Sequence, residues 1–152
     1  MVKQDPINRL LDLIRPHRSG YILSILLAVL GVSSGMVPYF AVAQIVNLLL
    51  NGETAFSVYL LWCGIALAAF VLKSVFHGLS TRCSHEATFA VLSELRRALA
   101  GKLTRVPMGY LTATPSGKLK STIVERVEQL EVPLAHIIPE MTSNLLVPIA
   151  IV

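Results

Sequence analysis

From Ser19 to Gly52 the chain carries no Asp, Glu, Lys or Arg, an uncharged run of about 34 residues where roughly 20 suffice to cross the hydrocarbon of a bilayer. A secretory signal peptide has an apolar core of only about 7–15 residues and ends in a small-residue cleavage site. The run is too long for that. After Glu53 a second uncharged run extends from Thr54 to Leu72, about 19 residues, which also meets the crossing length. A soluble helical bundle would have to bury both runs as core helices. Composition argues against it: hydrophobic residues make up 54% and charged residues 14%, against about 25% charged in an ordinary soluble domain.

Two spans joined by the short loop Asn51-Gly52-Glu53-Thr54 follow. Lys3, Arg9, Arg15 and Arg18 precede the first, Arg82, Arg96, Arg97, Lys102 and Arg105 follow the second, and the loop between them has no basic residue. Cytoplasmic flanks collect Lys and Arg, so both flanks are expected inside, N-terminus included, and the loop outside. The net charge of +4 is then a topology signal, and no nucleic-acid partner is implied.

Before the first span, Ile7, Leu10, Leu11 and Ile14 recur at helical spacing on one face. With Asp5 as N-cap, Pro6 at the first helical position and Pro16 as a stop, residues 1–18 are expected to form an amphipathic helix on the membrane surface. Within the first span Gly31 and Gly35 make a small-residue face that lets a neighbouring helix approach closely. Pro38 removes a backbone bond to the carbonyl of Ser34 and predicts a kink.

Beyond Leu72 the apolar stripe continues through Val91, Leu92, Leu95, Leu99, Leu103 and Val106, with Arg96, Arg97, Lys102 and Arg105 on other faces. The second span is expected to run on into the cytoplasm as one helix over 55–106, ended by Pro107 and Gly109. A further amphipathic stretch starts after Pro115, with Ser116 as its cap and Leu119, Ile123, Val127, Leu130 and Leu134 as its apolar positions. From Leu145 to Val152 the chain is apolar again for about eight residues, less than half a span. A third membrane helix, cut short, is expected there.

Several motifs fail on inspection. Cys63 and Cys83 have neither metal-ligand spacing nor a CxxC pattern. His85-Glu86 starts like HExxH, but the second His would fall on Phe89. Ser116-Gly117-Lys118 resembles the end of a P-loop, yet Thr112 replaces the required Gly and Leu119 the required Ser or Thr. No catalytic, cofactor or metal site is expected on this chain. Lys73 and His77 form an i, i+4 pair where the second span leaves its apolar run. Lys73 lies about 27 Å along the helix from Ala55, where a lysine can snorkel to the inner boundary. The alternative is a polar pathway lined by both residues.

The order of features, a surface elbow, two tightly joined spans, a long cytoplasmic extension and a short amphipathic helix, resembles the start of the membrane domain of an exporter-fold (type I) ABC transporter. Leu103-Thr104-Arg105-Val106-Pro107-Met108-Gly109-Tyr110, Ser116-Gly117-Lys118-Leu119-Lys120 and Val127-Glu128-Gln129-Leu130-Glu131 look like that family's first intracellular loop. The string Ala135-His136-Ile137-Ile138-Pro139-Glu140 is similar to the subgroup of siderophore and heme-associated members. Two positions depart from the pattern. The family's acidic pair is Glu125-Arg126 here, and Pro133 is expected to weaken the helix that normally continues.

The resemblance implies an all-α, polytopic membrane domain, truncated within its third membrane helix: an elbow over 1–18 and a partial membrane domain over 19–152. Its parts would be a first span over 20–50, a second with its extension over 55–106, a coupling loop over 107–124 and the start of a third span over 125–152. It implies a bacterial inner membrane, a second membrane domain as homo- or heterodimer partner, and a nucleotide-binding ATPase domain that carries ATP and Mg. Ser116, Gly117, Lys118, Leu119, Lys120 and Ile123 would couple this chain to the ATPase domain, with Leu119 as anchor. A competing expectation is a small self-standing membrane protein that binds or regulates a larger partner.

Overall fold

The computed structural model describes residues 12–109 and 114–151. Most of the expected elbow, residues 1–11, and part of the expected coupling loop, residues 110–113, lie outside the described residues. A 3-10 turn, Arg15–His17, leads into α1 (Arg18–Leu50). There follow α2 (Phe56–Leu103), α3 (Ser116–Lys120), a π-helical turn (Ser121–Glu125), α4 (Arg126–Glu128) and α5 (Glu131–Ile151). No strand occurs among the described residues.

Both long helices leave their apolar surface open. The most apolar stretch of the first is 22% buried and that of the second 6%, whereas the core helix of a soluble protein is mostly buried. Side chains such as Leu26, Phe40, Leu50, Leu60, Leu67 and Phe70 stand exposed. An uncovered apolar surface of this extent needs lipid or other helices around it, so α1 and the start of α2 are membrane helices. With 48 residues, α2 is about 72 Å long, more than twice the roughly 30 Å of a bilayer core.

The link between them is built from backbone. Glu53 N–H donates to Leu48 O and Gly52 N–H to Leu49 O, each at 3.1 Å, the paired bonds that close a helix C-terminus around a left-handed residue. Gly52 is that residue, with φ of 74°, a conformation costly to side chains with a Cβ. Glu53 then accepts the Ala55 N–H on its carboxylate at 3.0 Å, and Tyr59 donates its hydroxyl to the Glu53 carbonyl at 2.6 Å.

The helices contribute to two compact units, Met1–Leu23 with Arg82–Ile138 and Ser24–Thr81 with Pro139–Val152. In the second unit small residues set the contact between α1 and α2. Gly31 lies so close to α2 that an added Cβ would stand 3.5 Å from Phe76 Cβ and 3.7 Å from the Lys73 carbonyl. Ser80 Oγ donates to Ser24 O at 2.7 Å and Ser24 Oγ lies 3.1 Å from Ser80 Oγ, both side chains fully buried. Phe40 and Trp62 meet edge to face at 5.9 Å. Pro38 sits inside α1, and the hydroxyl that bonds back along the helix nearby is Ser33 Oγ, on Val29 O.

In the first unit Tyr21, Ala87 and Val91 form the core, with Leu13, Ile14 and Leu134 packed against it. Tyr21 OH pairs with Thr88 Oγ1 at 3.0 Å, and Ser84 Oγ donates to Ala135 O at 2.7 Å. His17 Nε2 donates to Glu94 Oε1 at 3.1 Å. The described end of the elbow therefore packs on protein through Leu13 and Ile14. Pro16, expected as a stop, lies in the 3-10 turn that runs directly into α1. Residues 12–14 before it are already helical, so the chain passes Pro16 through the tighter turn without stopping there.

Pro133 falls in the first turn of α5, where its missing N–H is one of the unpaired donors of a helix start. The expected weakening appears as a break at Gln129 and Leu130. Gln129 N–H still reaches Glu125 O at 3.0 Å and Leu130 N–H reaches Val127 O at 3.1 Å.

Candidate functional site

Two groups of residues bear on function, and each belongs to one unit. The first surrounds α3. Pro115 occupies the cap position, and its carbonyl accepts from Lys118 N–H at 2.9 Å and Leu119 N–H at 3.4 Å. Ser116, expected as the cap, is the first helical residue instead, and no side chain caps this helix. A π-helical turn follows: Arg126 N–H bonds Ser121 O, five residues back. Thr122 adds a hydroxyl bond to Lys118 O at 2.9 Å, which competes with regular helical pairing. Such local widening inserts a residue and turns the following face, and it occurs often at functional places.

Leu119 and Ile123 are half-buried and line a groove of about 170 Å³ with Leu99, Leu103 and Lys102 of α2. The apolar stripe of α3 thus holds this segment to the end of the long helix. Ser116, Gly117, Lys118 and Lys120 remain exposed. Glu125 and Arg126 are exposed as well, while Val127 is buried. The cation at Arg126 therefore stands in solvent. Between Glu94 and Glu125 the sequence has Arg96, Arg97, Lys102, Arg105, Lys118 and Lys120 and no carboxylate, so this stretch of chain is basic.

The same unit holds a cluster that sequence spacing does not suggest. His85 Nδ1 stands 3.8 Å from Glu131 Oε1, and its ring meets that of His136 edge to face at 5.1 Å. His85 is far in the chain from Glu131 and His136, and the pairing of α2 with α5 joins them. Among the described residues no group of His, Cys, Asp and Glu is arranged to hold a metal ion. On the next turn Glu86 Oε1 accepts from Arg82 Nε at 2.9 Å; this bond, then the charge of Glu86, raises the pKa of the exposed guanidinium.

The second group is Lys73 and His77 on α2, both exposed. Lys73 lies across α1 at Gly35, where an added Cβ would stand 3.0 Å from its Cδ, 3.3 Å from Cε and 3.5 Å from Nζ. The groups at Lys73 and at α3 fall in separate units and are separate sites.

A family model described as the ABC transporter transmembrane region matches residues 21–152. No curated protein matches the chain.

Proposed function

Because this chain belongs to the family of ABC transporter transmembrane regions, we propose that residues 116–123 receive the motion of an ATP-hydrolysing domain and pass it to the membrane helices. The observation that carries the reading is the attachment of α3 to the end of α2. Leu119 and Ile123 share a groove with Leu99 and Leu103, and a continuous helix leads from there to the membrane-spanning part. Packed elements shift as bodies between discrete arrangements, so a push on the exposed Ser116, Gly117, Lys118 and Lys120 is carried by α2. The bound nucleotide and Mg belong to the partner domain. Orientation follows the basic residues, with the N-terminus and α3 in the cytoplasm of a bacterial cell and Gly52 outside. A second membrane domain of the same family completes the pathway, and Lys73 and His77 face it. The finer placing among siderophore and heme-associated members rests on the string from Ala135 to Glu140 alone.

The test is a cysteine at position 120 in an assembled transporter. A cross-link to the ATPase domain is expected, with loss of substrate-stimulated hydrolysis in Leu119→Asp, which puts a charge into the groove. Labelling of position 120 by a lipid-soluble probe, without a cross-link and with unaltered hydrolysis in Leu119→Asp, would mean that α3 lies on the membrane surface.

A further inference from the structure

We propose that Lys73 is an anion-binding group within the membrane region, taking the carboxylate or phosphate group of a solute that passes along the helices. The proposal rests on the reading that Lys73 and His77 face a polar pathway, and it names the chemistry of the passenger.

The direction of the side chain is the first support. Gly31 and Gly35 stand one turn apart on α1, Gly31 nearer Arg18 and Gly35 nearer Leu50. The backbone carbonyl of Lys73 is beside Gly31, whereas its Cδ, Cε and Nζ are beside Gly35. The side chain therefore leans from Gly31 toward Gly35, in the direction of the Leu50 end of α1. Helical side chains tilt toward their own N-terminus, and α2 runs from the loop toward Arg82, so the lean is the natural one. A snorkelling lysine would have to reach the other way. Gly35 gives it a seat, since a Cβ there would crowd Cδ at 3.0 Å.

Depth is the second. Gly35 stands about 22 Å from Leu50 along α1, short of the roughly 30 Å that the bilayer core occupies. Counted from a core that starts at Leu50, the ammonium then falls short of the inner edge. Charge is the third. Neither uncharged run contains an Asp or Glu, and the Lys73 side chain makes no ion pair or hydrogen bond among the described residues. A cation at this depth is costly without an anion or water. His77, one turn along the same face and equally exposed, offers a second nitrogen to the same ligand.

The experiment uses an assembled transporter with Cys63→Ala, Cys83→Ala and His77→Cys, in vesicles of phosphatidylcholine. Position 77 is modified with methanethiosulfonate reagents of opposite charge, the ethylsulfonate and the ethyltrimethylammonium. Replacing Lys73 with Gln should lower the ratio of anionic to cationic rate about tenfold, the size expected of one unit charge about 6 Å away acting through water on both reagents. Lys73→Arg should keep the ratio. An unchanged ratio in Lys73→Gln, as when a carboxylate from another helix already neutralises Lys73, overturns the anion site but leaves the pathway. No reaction with either reagent overturns the pathway itself. Protection by inorganic phosphate supports a solute, whereas loss of the anionic preference only when phosphatidylglycerol is added assigns the site to lipid headgroups and overturns the solute assignment.

Discussion

Ser84 donates its hydroxyl proton to the carbonyl of Ala135 at 2.7 Å, and this is the bond that α5 cannot make for itself. In a regular helix the Ala135 carbonyl would accept from the N–H of residue 139, which is Pro139 and has none. Both Ser84 and Ala135 are fully buried, so no water replaces the missing donor. Ser84→Ala should cost about 1–3 kcal/mol, the penalty of a buried acceptor left without a partner. Pro139→Ala should restore most of the loss in the Ser84→Ala background, because the backbone N–H returns. Thermal unfolding in detergent measures both, and equal damage with and without Pro139 would contradict this account.

Gly20 lies close against α2, where an added Cβ would stand 2.9 Å from Ala87 Cβ. Neither backbone can yield without disturbing the Tyr21, Ala87 and Val91 core. Gly20→Ala is expected to destabilise by about 1–3 kcal/mol, as overpacking does. Adding Ala87→Gly removes the opposing methyl and should return most of it. A double variant no more stable than Gly20→Ala would show that the contact is not the cause.

Tyr21 OH and Thr88 Oγ1, paired at 3.0 Å in the same buried interface, call for a double-mutant cycle. Each single change, Tyr21→Phe or Thr88→Val, leaves one buried hydroxyl alone and should cost about 1–3 kcal/mol, whereas removing both can be nearly neutral. The coupling energy is the readout. Strict additivity in chemical or thermal unfolding would remove the bond from the account.

The orientation proposed from the basic residues is tested by single cysteines at Gly52 and Ser116 in otherwise cysteine-free chain. In intact cells an impermeant maleimide should label position 52 and spare 116, and opening the cells should expose 116. The reverse pattern would invert the topology. Gly52→Cys also strains a left-handed position, so Glu53→Cys serves as a second outside reporter.

The two uncharged runs determine by themselves that this chain is a helical membrane protein, because a bilayer admits long apolar segments only as structures that satisfy their own backbone bonds. The apolar stripe of α2 past Leu72 was equally legible, since helical periodicity is local and repeats every turn. The string from Leu103 to Glu131 carried the family resemblance in the same way, residue by residue. What the sequence could not show depends on which surfaces meet. For Lys73 the sequence left two readings open, a snorkelling lysine and a polar pathway with His77, and its place beside Gly35 is visible only in the packing. Leu119, expected as the anchor to an ATPase domain, lines a groove with Leu99 and Leu103. The π-helical turn after Lys120, the pairing of His85 with Glu131 and His136, and the donation from Ser84 to the carbonyl that Pro139 leaves open all join atoms distant in sequence or shift a helix by one residue. Periodicity says which face is apolar. Only packing decides what that face touches, because small residues such as Gly20, Gly31 and Gly35 set helix separations that no local pattern encodes.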